Sequence, residues 1–255
     1  MTNIDQDGTY LERNPSLHEE DSEYKFAYIR ELLQDVRPEG GRFRVLDIGG
    51  GAGLVAAQVC RFLSTKGLPV ECHAFDLSTD MLAKQKANNP FVTLVTSDFK
   101  DIQECGAYDL ALLIDVIEHI PDNDSVADEV DRLSSYVIYN IPIEYNLLDW
   151  LRNIYLSGRY YASQTASIGH VHFFSVSSAK KFIRAHHRML RYSFPDFSGH
   201  LLDSPHPDYV KQRANSLRRA ELRFSRVVYK WFNWLAPWLI QGSLFVLAER
   251  SKRNS

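Results

Sequence analysis

Two short segments of the sequence place histidines and acids where they could move a proton. The first, IDVIEHIPD, contains Asp115, Glu118 and His119, and the second, GHVHFFS, contains His170 and His172. Histidine titrates near neutral pH, which suits it to act as a general base. We predict His170 as the base because it follows a glycine and should be exposed; His119 ranks next, then His172 and Asp115. The alternative is that these side chains are structural.

The same residues could instead bind a metal ion. Asp115, Glu118 and His119, with the distant His170, supply two carboxylates and two imidazoles. This ligand set suits a divalent transition metal. A divalent metal is therefore an alternative to a histidine base, although it is not the favoured one.

A glycine run in RVLDIGGGAGLVAAQV indicates a binding loop. Gly49, Gly51 and Gly53 follow an apolar strand and precede a helix, so the backbone can approach a ligand at the partly positive helix N-terminus. Leu54 stands where a dinucleotide-binding fingerprint has its third glycine, and a phosphate-binding P-loop pattern is absent. The loop therefore predicts a different ligand.

Acids stand at or beside the ends of the predicted strands. Asp47 comes directly before the glycines, Asp76 ends the second strand, and Asp98 ends the third. In open α/β sheets, ligands bind beyond the carboxyl ends of the strands. Asp76 could accept hydrogen bonds from both hydroxyls of a ribose, and Asp98, with Phe99 beside it, could bind an adenine.

Four motifs in order, VLDIGGGAG, AFDLS, TSDF and YDLALLIDVIEHI, resemble class I S-adenosylmethionine-dependent methyltransferases over roughly residues 40–145. The resemblance implies that S-adenosylmethionine is the cofactor and that the glycine loop holds its methionine portion. It also implies that Asp76 binds the ribose, Asp98 and Phe99 the adenine, and Met81 the other face of that ring. The predicted cofactor site comprises Asp47, Gly49, Gly51, Gly53, Asp76, Leu77, Met81, Asp98, Phe99 and Asp115.

The metal alternative has a parallel within that family. Asp115-x-x-Glu118-His119 with a later His170 is similar to the E-x-x-E-H pattern of ubiquinone-pathway and small-RNA ribose methyltransferases, which use a divalent ion. The first acid here is Asp rather than Glu, and D-V-x-E-H also occurs in relatives that use no metal.

The order of elements predicts an α/β fold: a Rossmann-like, mixed seven-stranded sheet with helices on both faces. Residues 1–40 are predicted as an N-terminal helical lid that opens with a Ser16-x-x-Glu19 capping box. Residues 41–255 form the predicted methyltransferase domain, with a helical insertion at about 196–241 before the last strand. Residues 144–172 are expected to be irregular.

The insertion combines basic and apolar residues. Its cations are Lys211, Arg213, Arg218, Arg219, Arg223, Arg226 and Lys230. Arg219, Arg223, Arg226 and Lys230 lie on one helix face, and its apolar residues follow helical spacing on another: Val210, Ala214, Leu217, Phe224, Val227, Trp231 and Leu235. The basic side is interpreted as a solvated face, a contact for an anionic acceptor, or a contact for a membrane surface. Nucleic acid is not expected, because the chain lacks a recognisable RNA-binding module.

Composition narrows the setting. The net charge is −3, and three cysteines without CxxC spacing predict free thiols in a reducing compartment. The longest apolar stretch, 227–248, is interrupted by polar residues and makes a poor membrane span. We expect a cytoplasmic protein, with peripheral membrane contact as a further hypothesis.

These observations predict an S-adenosylmethionine-dependent methyltransferase. The expected reaction is O-methylation of a small or carbohydrate-like acceptor, phosphorylated or lipid-linked, with a histidine as general base. One alternative is a metal-assisted or nucleic-acid 2′-O-methyltransferase. Another is a non-catalytic cofactor-binding partner subunit.

Overall fold

A seven-stranded sheet forms the centre of the computed structural model, which describes residues 19–37 and 41–251. The strands are β1 (Phe43–Ile48), β2 (Val70–Phe75), β3 (Val92–Thr96), β4 (Tyr108–Ile114), β5 (Ser134–Ile143), β6 (His187–Ser193) and β7 (Gly242–Arg250). Their spatial order is β3-β2-β1-β4-β5-β7-β6. The first five are parallel, and β7 runs antiparallel to both β5 and β6. The predicted mixed seven-stranded sheet is therefore confirmed.

Helices cover both faces of this sheet, as predicted. They are α1 (Ser22–Leu32), α2 (Leu54–Thr65), α3 (Thr79–Asn88), α4 (Phe99–Glu104), α5 (Asn123–Leu133), α6 (Leu147–Tyr155), α7 (Tyr160–Ile168), α8 (Val176–His186), α9 (Phe197–Asp203), α10 (Pro207–Ala214), α11 (Ser216–Phe232) and α12 (Ala236–Leu239). Successive strand residues point to opposite faces. Val45 of β1 accordingly packs in the core beneath α1 and α2, whereas Leu46 packs in the core beneath α5 and α8.

Local capping explains where several helices begin. The Ser78 hydroxyl accepts a hydrogen bond from the Met81 amide at 3.4 Å and starts α3. The Asn215 side chain accepts from the amides of Leu217 and Arg218 and starts α11. The predicted capping box at Ser16 lies outside the described residues. The three cysteines are free, as predicted.

Two parts of the chain differ from the sequence prediction. Residues 144–172 are not irregular throughout, because they contain α6 and α7, joined by a turn at Ser157 and Gly158, both with positive φ. The insertion consists of four helices, α9 to α12, rather than one.

Most of the apolar residues that follow helical spacing in the insertion are exposed. Leu217, Phe224, Val227 and Trp231 are exposed, whereas Leu222 and Tyr229 are buried. Apolar spacing showed which residues share a face of the helix, but not which face packs on the protein.

Within the described part of the chain, no helix is long and apolar enough to span a membrane.

Candidate active site

A cavity of about 1170 Å³ lies at the carboxyl ends of the central strands. Its walls come from the glycine loop after β1, the ends of β2, β4 and β5, helix α1, the segment after α7, and the insertion. Pockets for drug-sized ligands commonly have about 300–1,000 Å³. The cavity is therefore large enough for a cofactor and a small acceptor together.

The glycine loop approaches the cavity with bare backbone. Gly49, Gly51 and Gly53 all have positive φ, which residues with a Cβ rarely adopt. Between them, a side chain on Gly50 would collide with the Asp47 carboxylate. The loop therefore combines a left-handed turn with close backbone packing, and a Cβ on Gly51 would meet no described atom within 4 Å.

Two acids flank this loop. Asp47 is buried, and burial raises the pKa of its carboxyl to about 7, with the charge of Asp76 as a second cause. Asp76 follows β2 and accepts a hydrogen bond from the Ser78 amide at 2.9 Å. Leu77 and Met81 add apolar surface beside Asp76. Both acids and both apolar residues line the cavity.

Asp98 and Phe99 do not line the cavity. The Asp98 carboxylate caps α4 by accepting from the Lys100 amide at 2.9 Å. The Phe99 ring packs edge-on against Phe75, with ring centroids 5.1 Å apart, and Phe75 does line the cavity. Their predicted contact with an adenine stays a prediction, since the structure brings only Phe75 to the wall.

These residues fit S-adenosylmethionine. The bare loop leaves room for the methionine portion, the carboxylate of Asp76 lies on the cavity wall as an acceptor for sugar hydroxyls, and Leu77 and Met81 offer apolar contact. One oxygen of the buried Asp47 carboxylate also lacks a hydrogen-bond partner among the described residues. A polar ligand group would supply one.

Asp115 follows β4 in a left-handed conformation, with φ of 56°. Its Oδ1 accepts from Asn140 Nδ2 at 2.6 Å, and its Oδ2 lies 2.8 Å from Lys25 Nζ. Non-glycine residues in this region are often functional or strained. The lysine comes from α1, so the N-terminal helix contacts the candidate active site directly.

His170 is buried in the cavity wall, with 8% of its surface exposed. The expectation of exposure was therefore wrong, because the ring packs against His119 and Glu144. Its Nδ1 lies 2.6 Å from Glu144 Oε2, and Glu144 is itself buried. This is an imidazole oriented by a carboxylate.

His119 lies edge-on to His170, with ring centroids 4.7 Å apart. Burial, and after it the charge of the neighbouring His170, lowers the pKa of His119 to about 4. His119 is thus neutral at neutral pH and is a weaker base than an ordinary histidine. His172 does not line the cavity; its Nε2 lies 3.0 Å from the carbonyl oxygen of Ile120, to which it can donate.

Glu118 is fully buried between these groups, and neither of its carboxylate oxygens has a hydrogen-bond partner among the described residues. Burial is the main cause of its raised pKa, followed by the charge of Asp115. Ligand atoms of Glu118, His119 and His170 lie within 4.8 Å of one another. The structure thus brings together three of the four proposed metal ligands, and Asp115 is not in that group.

Sequence reasoning missed Glu144, Lys25 and Asn140. Glu144 follows β5 as Asp76 follows β2, so the rule that acids beyond strand ends face the ligand would have found it. Lys25 carried no signal, because an isolated lysine on a helix is ordinary. In the insertion, Arg218 lines the cavity, whereas Arg219 and Arg223 do not.

Comparisons with known proteins identify the family and the fold of this chain. A family model described as a methyltransferase domain matches residues 17–186. A comparison with curated proteins gives no match. A solved S-adenosylmethionine-dependent methyltransferase from Archaeoglobus fulgidus is 16% identical with a TM-score of 0.55, over 94% of this chain and 99% of that one.

Two further solved structures have the same fold. Haemonchus contortus phosphoethanolamine N-methyltransferase 2, in complex with S-adenosylmethionine, is 19% identical with a TM-score of 0.54. That match covers 88% of this chain and 52% of the other, so this chain spans about half its length. A chain of the complex between the Haloferax volcanii Trm112 methyltransferase activator and a methyltransferase is 15% identical, with a TM-score of 0.57 and full coverage of both chains.

The sheet order and the glycine loop define the class I S-adenosylmethionine-dependent methyltransferase fold, as the sequence motifs predicted. The chain belongs to the methyltransferase-domain family. The predicted cofactor agrees with these relatives, one of which contains S-adenosylmethionine.

Proposed function

We propose that this protein transfers a methyl group from S-adenosylmethionine to a hydroxyl oxygen of a small or carbohydrate-like acceptor, with His170 as general base. The supporting observation is the buried His170–Glu144 pair, 2.6 Å apart, in the wall of the cavity that the glycine loop also lines. A hydroxyl must lose its proton as it takes up a methyl group, so it needs a base.

The cofactor supplies a methyl group on a sulfonium, which an in-line nucleophile can attack. Glu144 would accept a hydrogen bond from the Nδ1–H of His170, and this tautomer leaves Nε2 to accept the hydroxyl proton. The Glu144 charge also stabilises the imidazolium that then forms. Asp76 and the glycine loop would hold the cofactor, and alignment of the two reactants supplies much of the rate.

The charges of the cavity wall constrain the acceptor. Carboxylates from Asp47, Asp76, Asp115, Glu118 and Glu144 line it, and most of the basic residues of the insertion do not. A neutral hydroxyl group fits beside His170. A phosphate on the same acceptor would have to lie outside this acidic wall.

Transfer of label from methyl-labelled S-adenosylmethionine into fractionated cell extract tests the proposal. Label in a hydroxyl-bearing small-molecule or glycan fraction, lost in His170→Ala and kept in His172→Ala, would support it. His172 is the matched control because it lies in the same segment but away from the cavity. Binding of S-adenosylhomocysteine without transfer to any fraction would instead support a cofactor-binding subunit.

Phosphoethanolamine belongs among the acceptors tested, because the Haemonchus relative is a phosphoethanolamine N-methyltransferase. Transfer to it would replace the oxygen acceptor with a nitrogen. An amine that arrives neutral needs no strong base, so such transfer should depend less on His170.

A metal-assisted reaction is a second candidate, favoured by the cluster of Glu118, His119 and His170. A bound cation would give a partner to the buried Glu118 carboxylate, whose two oxygens have no hydrogen-bond partner among the described residues. Under the base mechanism, dialysis against EDTA leaves transfer unchanged. Loss of activity that Mn²⁺ or Mg²⁺ restores, and that Glu118→Gln abolishes, would favour the metal.

A further inference from the structure

Helix α6 exposes its whole apolar face. Leu147, Trp150, Leu151 and Ile154 follow the i, i+3, i+4, i+7 spacing of one helix face, and each is about half exposed. The opposite side carries the buried Asp149, which binds Arg152 and the Tyr160 hydroxyl. The polar side of this helix thus faces the protein and the apolar side faces out.

Helix α11 has three distinct sides. Leu222, Ser225 and Tyr229 are buried on the first. The second is apolar and exposed, and consists of Leu217, Phe224, Val227 and Trp231. The third lies beside it and carries cations at helical spacing: Arg219, Arg223, Arg226 and Lys230.

The two helices belong to one unit. Arg152 of α6 forms an ion pair with Glu221 of α11. Leu148 of α6 packs against the cluster that contains Val228 and Ala236. We call their exposed apolar residues, with those of the following turn, the tryptophan surface: Leu147, Trp150, Leu151, Ile154, Leu217, Phe224, Val227, Trp231, Trp234 and Trp238.

All four tryptophans of the chain lie on this surface, each between 47% and 77% exposed. Monomeric soluble proteins rarely leave large apolar patches uncovered, and such patches mark a binding surface. None of these side chains belongs to the two hydrophobic cores that flank the sheet. Packing of the fold therefore does not explain why they are apolar.

We propose that the tryptophan surface docks on an anionic lipid bilayer. Tryptophan is enriched at the boundary between headgroups and acyl chains, and helices with an apolar face beside a Lys- and Arg-rich face lie in that boundary. Charge complementarity selects this occupant. Arg219 and Arg223 have no ion partner among the described residues, so they are available to lipid phosphates.

The geometry also joins this surface to the cavity. Arg218, Leu222 and Ser225 of α11 line the cavity, while Phe224, Val227 and Trp231 of the same helix face outward. Docking would therefore bring one wall of the cavity next to the lipid. The docking itself does not depend on the reaction proposed above, and it can be tested without an acceptor.

Vesicle binding by the purified full chain tests the proposal. We expect co-sedimentation with phosphatidylcholine vesicles that contain 30% phosphatidylglycerol, and weaker binding to pure phosphatidylcholine. Tryptophan emission should shift to shorter wavelength on binding, and it reports only on this surface because no tryptophan lies elsewhere. An absence of sedimentation with the anionic vesicles would overturn the proposal.

Charge variants separate the lipid from other occupants. Each Lys or Arg near an anionic surface contributes about 1 kcal/mol, or about fivefold in affinity. Arg219→Gln with Arg223→Gln should therefore weaken binding by about 25-fold. The matched control, Arg61→Gln with Lys86→Gln on α2 and α3, should bind as the wild type does.

An apolar variant tests the other half of the contact. Phe224→Ser with Leu151→Ser removes exposed side chains only, so the fold should persist, which circular dichroism checks. We expect weaker sedimentation with anionic vesicles. A stable dimer by sedimentation equilibrium that Phe224→Asp dissociates would show that a second copy covers this surface, and would overturn lipid docking.

Discussion

Buried carboxylates dominate the chemistry of the candidate active site. Asp47, Glu118 and Glu144 are almost fully removed from solvent, and the pKa of the first two is raised mainly by burial. A buried charge without a partner is costly, so proteins keep such groups where a ligand or a reaction uses them. Substitution of Asp76 tests cofactor binding, and substitution of His170 tests methyl transfer.

Asp76→Ala tests the cofactor site. The carboxylate lies on the cavity wall, where its Oδ1 accepts a hydrogen bond from the Ser78 amide at 2.9 Å. The variant loses a charged acceptor for two ribose hydroxyls, and each such hydrogen bond contributes roughly 1.5–3 kcal/mol. The affinity for S-adenosylhomocysteine should therefore fall by at least about 100-fold. Isothermal titration calorimetry measures this, and unchanged affinity would refute the assignment of Asp76.

His170→Ala tests the base. Loss of a general base slows transfer by about 10²–10⁴, whereas affinity for S-adenosylhomocysteine should stay the same. Glu144→Gln should act in the same direction, because the amide cannot stabilise an imidazolium. Single-turnover rates measure both effects, and full activity in His170→Ala would exclude this base.

Asp47→Asn tests the raised pKa of that carboxyl. With a folded pKa near 7 and an ordinary value of 3.8, the folded state binds the proton more tightly. Stability is therefore lost as pH rises from about 4 through 7. The asparagine does not titrate, so it should raise the melting temperature of the apo protein more at pH 8 than at pH 5.

The expected size of that effect is several degrees. A tenfold change in an acid constant corresponds to about 1.4 kcal/mol, and 1 kcal/mol to about 2–4 °C in a chain of this size. Differential scanning calorimetry of the variant and the wild type at the two pH values measures the change in melting temperature. An equal change at both would show that the Asp47 carboxyl titrates normally in the folded state.

At the scale of single residues, the sequence predicted the acids at the strand ends that line the cavity, but not the pairing of side chains within it. Asp47, Asp76 and Asp115 were identifiable because the ends of parallel strands meet at one edge of the sheet. The Glu144–His170 contact spans 26 residues. Its formation depends on how the segment after α7 folds back, which no local pattern encodes.

Among the helices and strands, too, local sequence patterns predicted some features, whereas features that depend on tertiary packing were missed. The strands and helices of residues 43–143 were predictable because apolar runs and helical spacing alternate there. Helix α6 was missed because it is only nine residues long and its apolar face is exposed. In α11 the apolar spacing was recognised, but periodicity does not say whether a face meets the core or solvent.

Tyr209→Phe tests how the insertion holds the N-terminal helix. The Tyr209 hydroxyl on α10 donates to Asp21, which precedes α1, and both side chains are buried. Without the hydroxyl, Asp21 keeps His200 Nε2 at 3.2 Å but loses its closest donor. A buried acceptor that loses its hydrogen-bond donor lowers the free energy of unfolding by about 1–3 kcal/mol.

We expect faster hydrogen exchange in α1 and a lower melting temperature for this variant. The matched control is Tyr155→Phe, since Tyr155 is 87% exposed and should leave both measurements unchanged. Exchange rates in α1 that equal those of the wild type would show that the hydroxyl does not hold the helix.

On the scale of the whole molecule, distant parts of the chain build one cavity. Helix α1 contributes Lys25, the strand ends contribute Asp76 and Asp115, and the insertion contributes Tyr209 and Leu222. A ligand that touches all of them stabilises the closed arrangement relative to any form in which one wall has opened.

Limited proteolysis tests this coupling. At a concentration of S-adenosylhomocysteine 100 times its dissociation constant, opening that abolishes binding should be about 100-fold rarer. Cleavage within residues 196–241 should slow accordingly in the wild type and not in Asp76→Ala. Equal cleavage rates with and without the ligand would show that the insertion opens independently of the cofactor site.

The position of β7 between β5 and β6 also decides when the sheet can be completed. Strand β7 begins at Gly242, long after β5 ends at Ile143, and among the described strands β6 pairs with β7 alone. While a ribosome is still making the insertion, β5 presents an unpaired edge, which attracts other extended chains. Pairing at such sequence distance is also slow. The nascent chain must therefore keep this edge from aggregating until its final strand emerges.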